Sequence, residues 1–299
     1  MADGSKHDRM PCVKSFLACC LATFVVLAAP LCAQDADAST AAADKTIIRS
    51  DSLTVPSSAE MFAAFEKKLR PQWAQYVRQG TPPASSHRMA IAFLIGGCIA
   101  NANLAAQVQD AQAVRNIIKE VLALAKKLNV AQAVSVRSNS IADFSSASDW
   151  PSVRSEIEAI ENEIKLDLIE QKDEHLAPVI SIGQWMHGVG VCTEVLAKSY
   201  AAAASQTPSD GAQASPDTKP HEAVELLRQG SVLDFLAASI DDAPPAVRAL
   251  AEFRAMRDGL VEMTKLLTAP EISEEQVKEL SKIVRDVATR VIGKEEVEP

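Results

Sequence analysis

The sequence predicts an all-α protein, a helical bundle of about seven to nine helices, and three observations carry that expectation. Aromatic residues supply only 4% of a chain that is 47% apolar and visibly rich in alanine. Such a composition favours helices packed through small residues over sheets, which draw on Val, Ile, Tyr and Phe at alternating positions. Apolar residues also recur with the helical period of i, i+3, i+4, i+7. Finally, Met89–Gln109 and Leu176–Thr193 lack Asp, Glu, Lys and Arg throughout. These two runs read as central, apolar, small-residue-rich helices that amphipathic ones wrap. A chain of 299 residues is long enough to bury such a core.

The first segment is set apart from the fold. Lys6, Arg9 and Lys14 precede an uncharged stretch, Ser15–Ala33, broken by Pro30 and followed by acidic residues. A basic start, an apolar centre and a small residue at its end define a secretory signal peptide over residues 1–33, cut near Ala33 or Ala38. The rival reading is a retained anchor, because nineteen uncharged residues just reach across a bilayer. Export to the periplasm is the expected destination. Removing residues 1–33 leaves 27 basic and 37 acidic side chains, a net charge of −10. With no basic run, an acidic surface repels phosphate backbones, so nucleic acid is not expected as a partner. Residues 34–56 read as a disordered tether.

Residues 57–293 are then expected to form a single helical domain. Ser57 and Glu60 stand at capping-box spacing and open a helix that Pro71 kinks or splits. After the turn-rich 80–88 comes the first uncharged run. A membrane span fails there because Asn101, Asn103, Gln107 and Gln109 crowd its second half, and unsatisfied amides are costly in hydrocarbon. Ala92, Gly96 and Ala100 recur every fourth residue, leaving a groove for close approach of another helix. Val114, Ile117, Ile118, Val121, Leu122, Ala125 and Leu128 mark the next buried face. A polar connection follows through residues 138–150. Asp149 and Pro151 announce another helix, with Val153, Ile157, Ile160, Ile164 and Leu168 as a narrow stripe. Its carboxylates, Glu156, Glu163, Asp167, Glu170 and Glu174, read as the solvated face opposite that stripe.

Setting Gly96 of the first apolar run against Gly183 of the second aligns Ile95 with Ile182 and Leu104 with Val191, three matches that do not suffice to establish a duplicated half. Residues 201–220, rich in Ala, Ser and Pro, read as a flexible loop. Beyond it, helices are expected around Gly230, over residues 244–267, and from the capping box of Ser273 and Gln276 onward. Residues 294–299 should form a frayed tail.

Motifs of chemistry are missing. No HExxH, CxxC, GxSxG or phosphate-loop pattern occurs, so no catalytic residue, metal site or cofactor is expected and the reading leans against an enzyme. The candidate ligand-binding residues are Asn101, Asn103, Trp185 and His187. The two asparagines lie about 200° apart on a helix, so at least one faces protein and needs a partner. His187 sits in an apolar helix, where a hydrogen-bonded core histidine is the simpler account. Cys98 and Cys192 remain after signal removal, as buried thiols or as a Cys98–Cys192 disulfide. The expected function is therefore binding without catalysis, as an interaction or scaffold module that recognises a protein or envelope component. The alternatives are a carrier of a small apolar or lipid-like ligand between the Gly96 and Gly183 helices, and an enzyme without a linear motif. A homo-oligomer is compatible with each.

Overall fold

A computed structural model describes residues 57–205 and 220–293, and among them every regular element is a helix. The signal peptide, the whole of the tether, the middle of the 201–220 loop and the tail lie outside the described residues. Nine helices have twelve residues or more: α1 (Ser58–Leu69), α2 (Arg88–Gln107), α3 (Ala111–Leu128), α4 (Ala131–Ser146), α5 (Trp150–Glu170), α6 (Ala177–Ser205), α7 (Gly230–Asp241), α8 (Ala251–Leu267) and α9 (Glu274–Ile292). Single turns at Pro220–Val224 and Pro245–Arg248 complete the α-helical elements. The all-α bundle with two central apolar helices is thus the observed architecture.

Those two helices are α2 and α6. In α2 nearly every side chain is buried, polar and apolar alike. It is long and apolar enough by composition to cross a membrane, yet 94% of its most apolar window is buried inside the fold. Protein, on all sides, takes the place that lipid would have.

The α2/α6 contact is made by backbone. A Cβ on Gly96 would lie 2.6 Å from the amide nitrogen of Gln184 and closer still to the carbonyl oxygen of Ile180. A Cβ on Gly183 would lie 3.0 Å from the carbonyl carbon of Phe93 and closer still to its oxygen. The contacts are reciprocal: each glycine meets the residue three positions before the other. The two helices therefore cross about a local two-fold axis at the pair of glycines aligned in the sequence. They also run the same way, since Arg88 at the start of α2 pairs at 2.5 Å with Asp173 just before α6. Hydrogens stand where Cβ atoms would, aimed at the opposite carbonyls, the geometry of weak Cα–H···O contacts.

Between these parallel helices the chain folds up and down through α3, α4 and α5. Each turn closes in the same way. Gln109, Asn129, Ser148 and Lys172 adopt left-handed φ values of 59°, 62°, 59° and 62°. The next residue's amide then donates back to the preceding helix: Asp110 to Ala105, Val130 to Ala125, Asp149 to Phe144 and Asp173 to Leu168, at 2.9–3.0 Å. These are Schellman closures, usually made with glycine; here none uses one.

Several elements depart from the sequence reading. The connection expected through 138–150 is mostly helix, since α4 continues to Ser146 and buries Ala133, Val134, Ile141 and Ser145. Its serines have poor helix propensity, and packing against α3 and α5 overrides it. At Pro71 the chain splits: α1 ends at Leu69, Arg70 turns left-handed at φ 45°, and a 3-10 turn spans Trp73–Tyr76. The helix expected over 244–267 is broken at Leu250, which is extended. Within the 201–220 loop, residues 201–205 are helical as the end of α6. Both capping boxes form, Ser57 with Glu60 and Ser273 with Gln276, and the Val153–Leu168 stripe is fully buried.

The crossing makes a direct prediction. Gly96→Ala and Gly183→Ala drive a methyl into backbone that cannot yield, and each should cost at least about 2–3 kcal/mol. Gly97, whose Cβ would meet nothing nearer than His187 Nδ1 at 3.9 Å, is the control: Gly97→Ala should be neutral or stabilise by up to ~1 kcal/mol through helix propensity. Urea denaturation of the three variants checks the contrast.

Candidate functional site

Buried polar side chains are the places to look for chemistry, because each must be satisfied or put to use. Around the central helices they gather at two spots. The first is centred on Ser58, whose hydroxyl accepts from Asn103 Nδ2 at 3.0 Å and from Gln184 Nε2 at 3.4 Å. It ties the N-terminus of α1 to both α2 and α6.

The second lies where the segment after the Trp73–Tyr76 turn crosses α2. Asn101 pairs with the backbone of Arg78 in both directions: its Oδ1 accepts from the amide at 2.9 Å and its Nδ2 donates to the carbonyl at 3.1 Å. A fully buried side-chain amide here does the work of a neighbouring strand. The Arg78 guanidinium then reaches inward, with Nη2 3.3 Å from Cys98 Sγ on α2 and 3.4 Å from Glu120 Oε2 on α3. His187 on α6 completes the group, close enough to Arg78 to feel its charge. Two nitrogens in this nest are sealed from solvent without a hydrogen-bond partner, Arg78 Nε and His187 Nε2.

The electrostatics keep these groups quiet at neutral pH. Burial pushes the Cys98 thiol up to about 11, outweighing the downward pull of Arg78. Burial, reinforced by Arg78, lowers His187 to about 4, so its imidazole is neutral. Glu120 is raised by burial, which the Arg78 charge only partly offsets. A neutral thiol and a neutral imidazole are a poor start for nucleophilic chemistry, which requires the thiolate.

Of the sequence candidates, Asn101 clamps the Arg78 backbone in this nest, and His187 is linked to it through the Arg78 charge. Asn103 belongs to the Ser58 group instead. Trp185 points elsewhere, its indole donating to Gln229 Oε1 at 3.0 Å. Backbone fills the Gly96–Gly183 crossing between them. Cys98 and Cys192 are both buried free thiols, with no bridge between them, and burial raises Cys192 well above the ordinary thiol range. Arg78 was not singled out in the sequence. Nothing local marks it, because the partners that define it, Cys98, Asn101, Glu120 and His187, are dispersed along the chain.

The carboxylates of α5 are engaged as well as solvated. Arg137 of α4 pairs with Glu156 at 2.9 Å and also with Glu163, which lowers Glu163. Among the described residues no group of three or more His, Cys, Asp or Glu is arranged to hold a metal ion. Depressions open elsewhere on the surface. One of about 480 Å³ lies between α8 and α9, rimmed by Glu262, Lys282, Asp286 and Arg290. Comparison with known proteins adds no relative: no family model, no curated protein and no solved structure matches the chain.

Two outcomes follow for solution work. Asn101→Ala strips both polar groups of Arg78 of their partner and should cost about 2–4 kcal/mol, two hydrogen bonds with buried groups left bare. Thiol reagents at pH 8 should leave Cys98 and Cys192 unmodified in the native protein and titrate both after denaturation.

Proposed function

We propose that the chain is exported and acts by binding a protein or envelope component through the outer face of α5, without bond-making chemistry. The observation that carries this reading is the exposure of Leu166 and Ile169, 58% and 48% accessible, on a helix whose other face is fully packed. Large apolar side chains this exposed cost solubility and have no role in the core. Asp167 and Glu170 are their neighbours, and Asp167 is raised by its own partial burial and then by Glu170 and Glu163. Apolar anchors beside unneutralised carboxylates suit a partner that offers a hydrophobic groove edged by Lys or Arg. The inert state of Cys98 and His187 at neutral pH supports binding over catalysis, and the basic-then-apolar start of residues 1–33 supports export.

Native mass spectrometry of the protein purified from its source tests the proposal. The expected result is a stoichiometric protein or envelope component that the double variant Leu166→Glu with Ile169→Glu loses while its circular dichroism is unchanged. Retention of the partner by that variant, or a small-molecule adduct in place of a macromolecule, overturns it; a second copy of the chain as the lost partner would make the face a self-association surface and overturn it equally.

A further inference from the structure

We propose that the furrow between α4 and α5 seats a helix of the partner protein, one apolar side chain of which lies between Val136 and Leu166 while a Lys or Arg beside it reaches Asp167. The inference rests on the reading of α5 as a protein-binding face and extends that face onto α4.

Two hydrogen bonds fix how the antiparallel α4 and α5 lie against each other. Gln171 Nε2 donates to the Asn129 carbonyl at 3.0 Å, and the Arg137 guanidinium donates to Glu163. Arg137 is eight residues beyond Asn129 and Glu163 eight residues before Gln171, so both ties agree on one register. In that register Ala133 stands opposite Asp167, and Val136 is offset from Leu166 by two residues, about 3 Å along the axes. At 100° per residue, Leu166 lies about 60° from Glu163 and Val136 about 100° from Arg137, each on the solvent side. The two side chains therefore overhang the furrow from opposite walls. Helices packed about 8–10 Å apart bring them to on the order of 10 Å from each other.

Exposure and charge identify the occupant. Of the five large apolar side chains most exposed among the described residues, three belong to this pair of helices: Val136, at 61% the most accessible, with Leu166 and Ile169. Apolar walls on both sides of one furrow suit an inserted helix, whose side chains at i, i+3, i+4 and i+7 fill such a groove. The floor between them is acidic. Asp167 lies about 40° from Glu163 on the side away from Leu166, is half-buried, and has across from it only the methyl of Ala133, which leaves room above the carboxylate. Of the three cations on α4 and α5, Arg137 holds Glu156 and Glu163 and Lys165 pairs with Glu161 at 2.5 Å. The third, Arg154, stands about 20 Å away along the helix. Asp167 is thus left with carboxylates for neighbours, Glu163 and Glu170, and an incoming Lys or Arg supplies the missing counter-ion. The same carboxylates repel anionic lipid headgroups and phosphate backbones, which favours a protein over a membrane.

A defined probe tests the furrow in the full chain. It is a fluorescein-labelled synthetic helix about five turns long, with leucine at the core positions of each heptad and lysine elsewhere; the control carries glutamate in place of every lysine. Fluorescence anisotropy is expected to show binding of the lysine helix and none of the glutamate helix. Val136→Ser and Asp167→Asn should each weaken binding by about fivefold or more. Neither change threatens the fold, since Val136 is exposed and Asp167 carries an uncompensated charge. Asp234→Asn, which removes the same charge from the exposed surface of α7, should alter binding by less than about twofold.

Loss of binding in Leu166→Ser with Ile169→Ser, but not in Val136→Ser or Asp167→Asn, would confine the contact to the outer ridge of α5; the furrow would be overturned and the α5 reading would stand. Equal weakening by Asp234→Asn would mean diffuse electrostatic attraction and overturn the furrow. So would failure of the lysine helix to bind at all, an outcome that leaves the α5 reading to the mass-spectrometric test. Sedimentation of the chain with equimolar phosphatidylcholine–phosphatidylglycerol vesicles, abolished by Val136→Ser, would make a lipid surface the occupant and overturn it equally.

Discussion

The approach of α2 to α6 through Gly96 and Gly183 is the constraint on which the rest of the molecule depends. Two helices whose backbones touch leave no room for side chains at the crossing, so their remaining apolar surface must be covered from outside. Helices α3 to α5 form an up-and-down run between them in the chain: α3 packs along α2, α5 touches both α2 and α6, and α4 covers α3 and α5 from outside. α8 and α9 close another side, α9 meeting α6 beside Gly190 and α8 receiving Val287 of α9 at Gly259. Glycine in a helix interior costs about 1 kcal/mol relative to alanine, and the dispersion contacts of two closely apposed backbones offset it. The local two-fold at the crossing follows from the same geometry. It accounts for the sequence alignment of the two runs at those glycines, whatever its origin.

How far the sequence could be read depended on how local each signal was. Capping boxes at Ser57 and Ser273, the Asp149–Pro151 start and the Val153–Leu168 stripe are decided by residues within a few turns, and all formed as expected. The absence of charge from two long runs was enough to name the central helices. Helix α4 escaped because three serines and an asparagine dilute its apolar spacing between Val134 and Ile141, and its stability comes from neighbours. The Schellman closures at Gln109, Asn129, Ser148 and Lys172 escaped because the usual mark, a glycine, is replaced by residues that tolerate the left-handed region at a modest cost. The exposed Leu166 and Ile169 were invisible inside a run read for its buried stripe. Arg78 was the deepest omission, since its role is written in four residues scattered over three helices.

Polar side chains inside this bundle tie backbone to backbone. Asn101 holds Arg78, Ser58 gathers Asn103 and Gln184, and Arg228 caps the end of α8 through the carbonyls of Leu267 and Ala269 at 2.9 and 2.5 Å. Satisfied groups of this kind specify one arrangement among many that an alanine-rich core would tolerate. Among the described residues the buried side-chain nitrogens without a hydrogen-bond partner are Arg78 Nε, Arg137 Nε, His187 Nε2 and Arg228 Nε, the last of them in an ion pair with Glu225 at 2.6 Å. The proposed binding role rests on an outer helix face, where Leu166 and Ile169 turn to solvent.

Nuclear Overhauser spectroscopy on labelled protein reaches the crossing without altering it. Backbones in contact require strong cross-peaks from the Gly96 α-protons to the amide proton of Gln184 and from the Gly183 α-protons to those of the Phe93 turn. Their absence, with cross-peaks from Gly96 to side-chain methyls of some other helix instead, would contradict the packing from which everything else here was built.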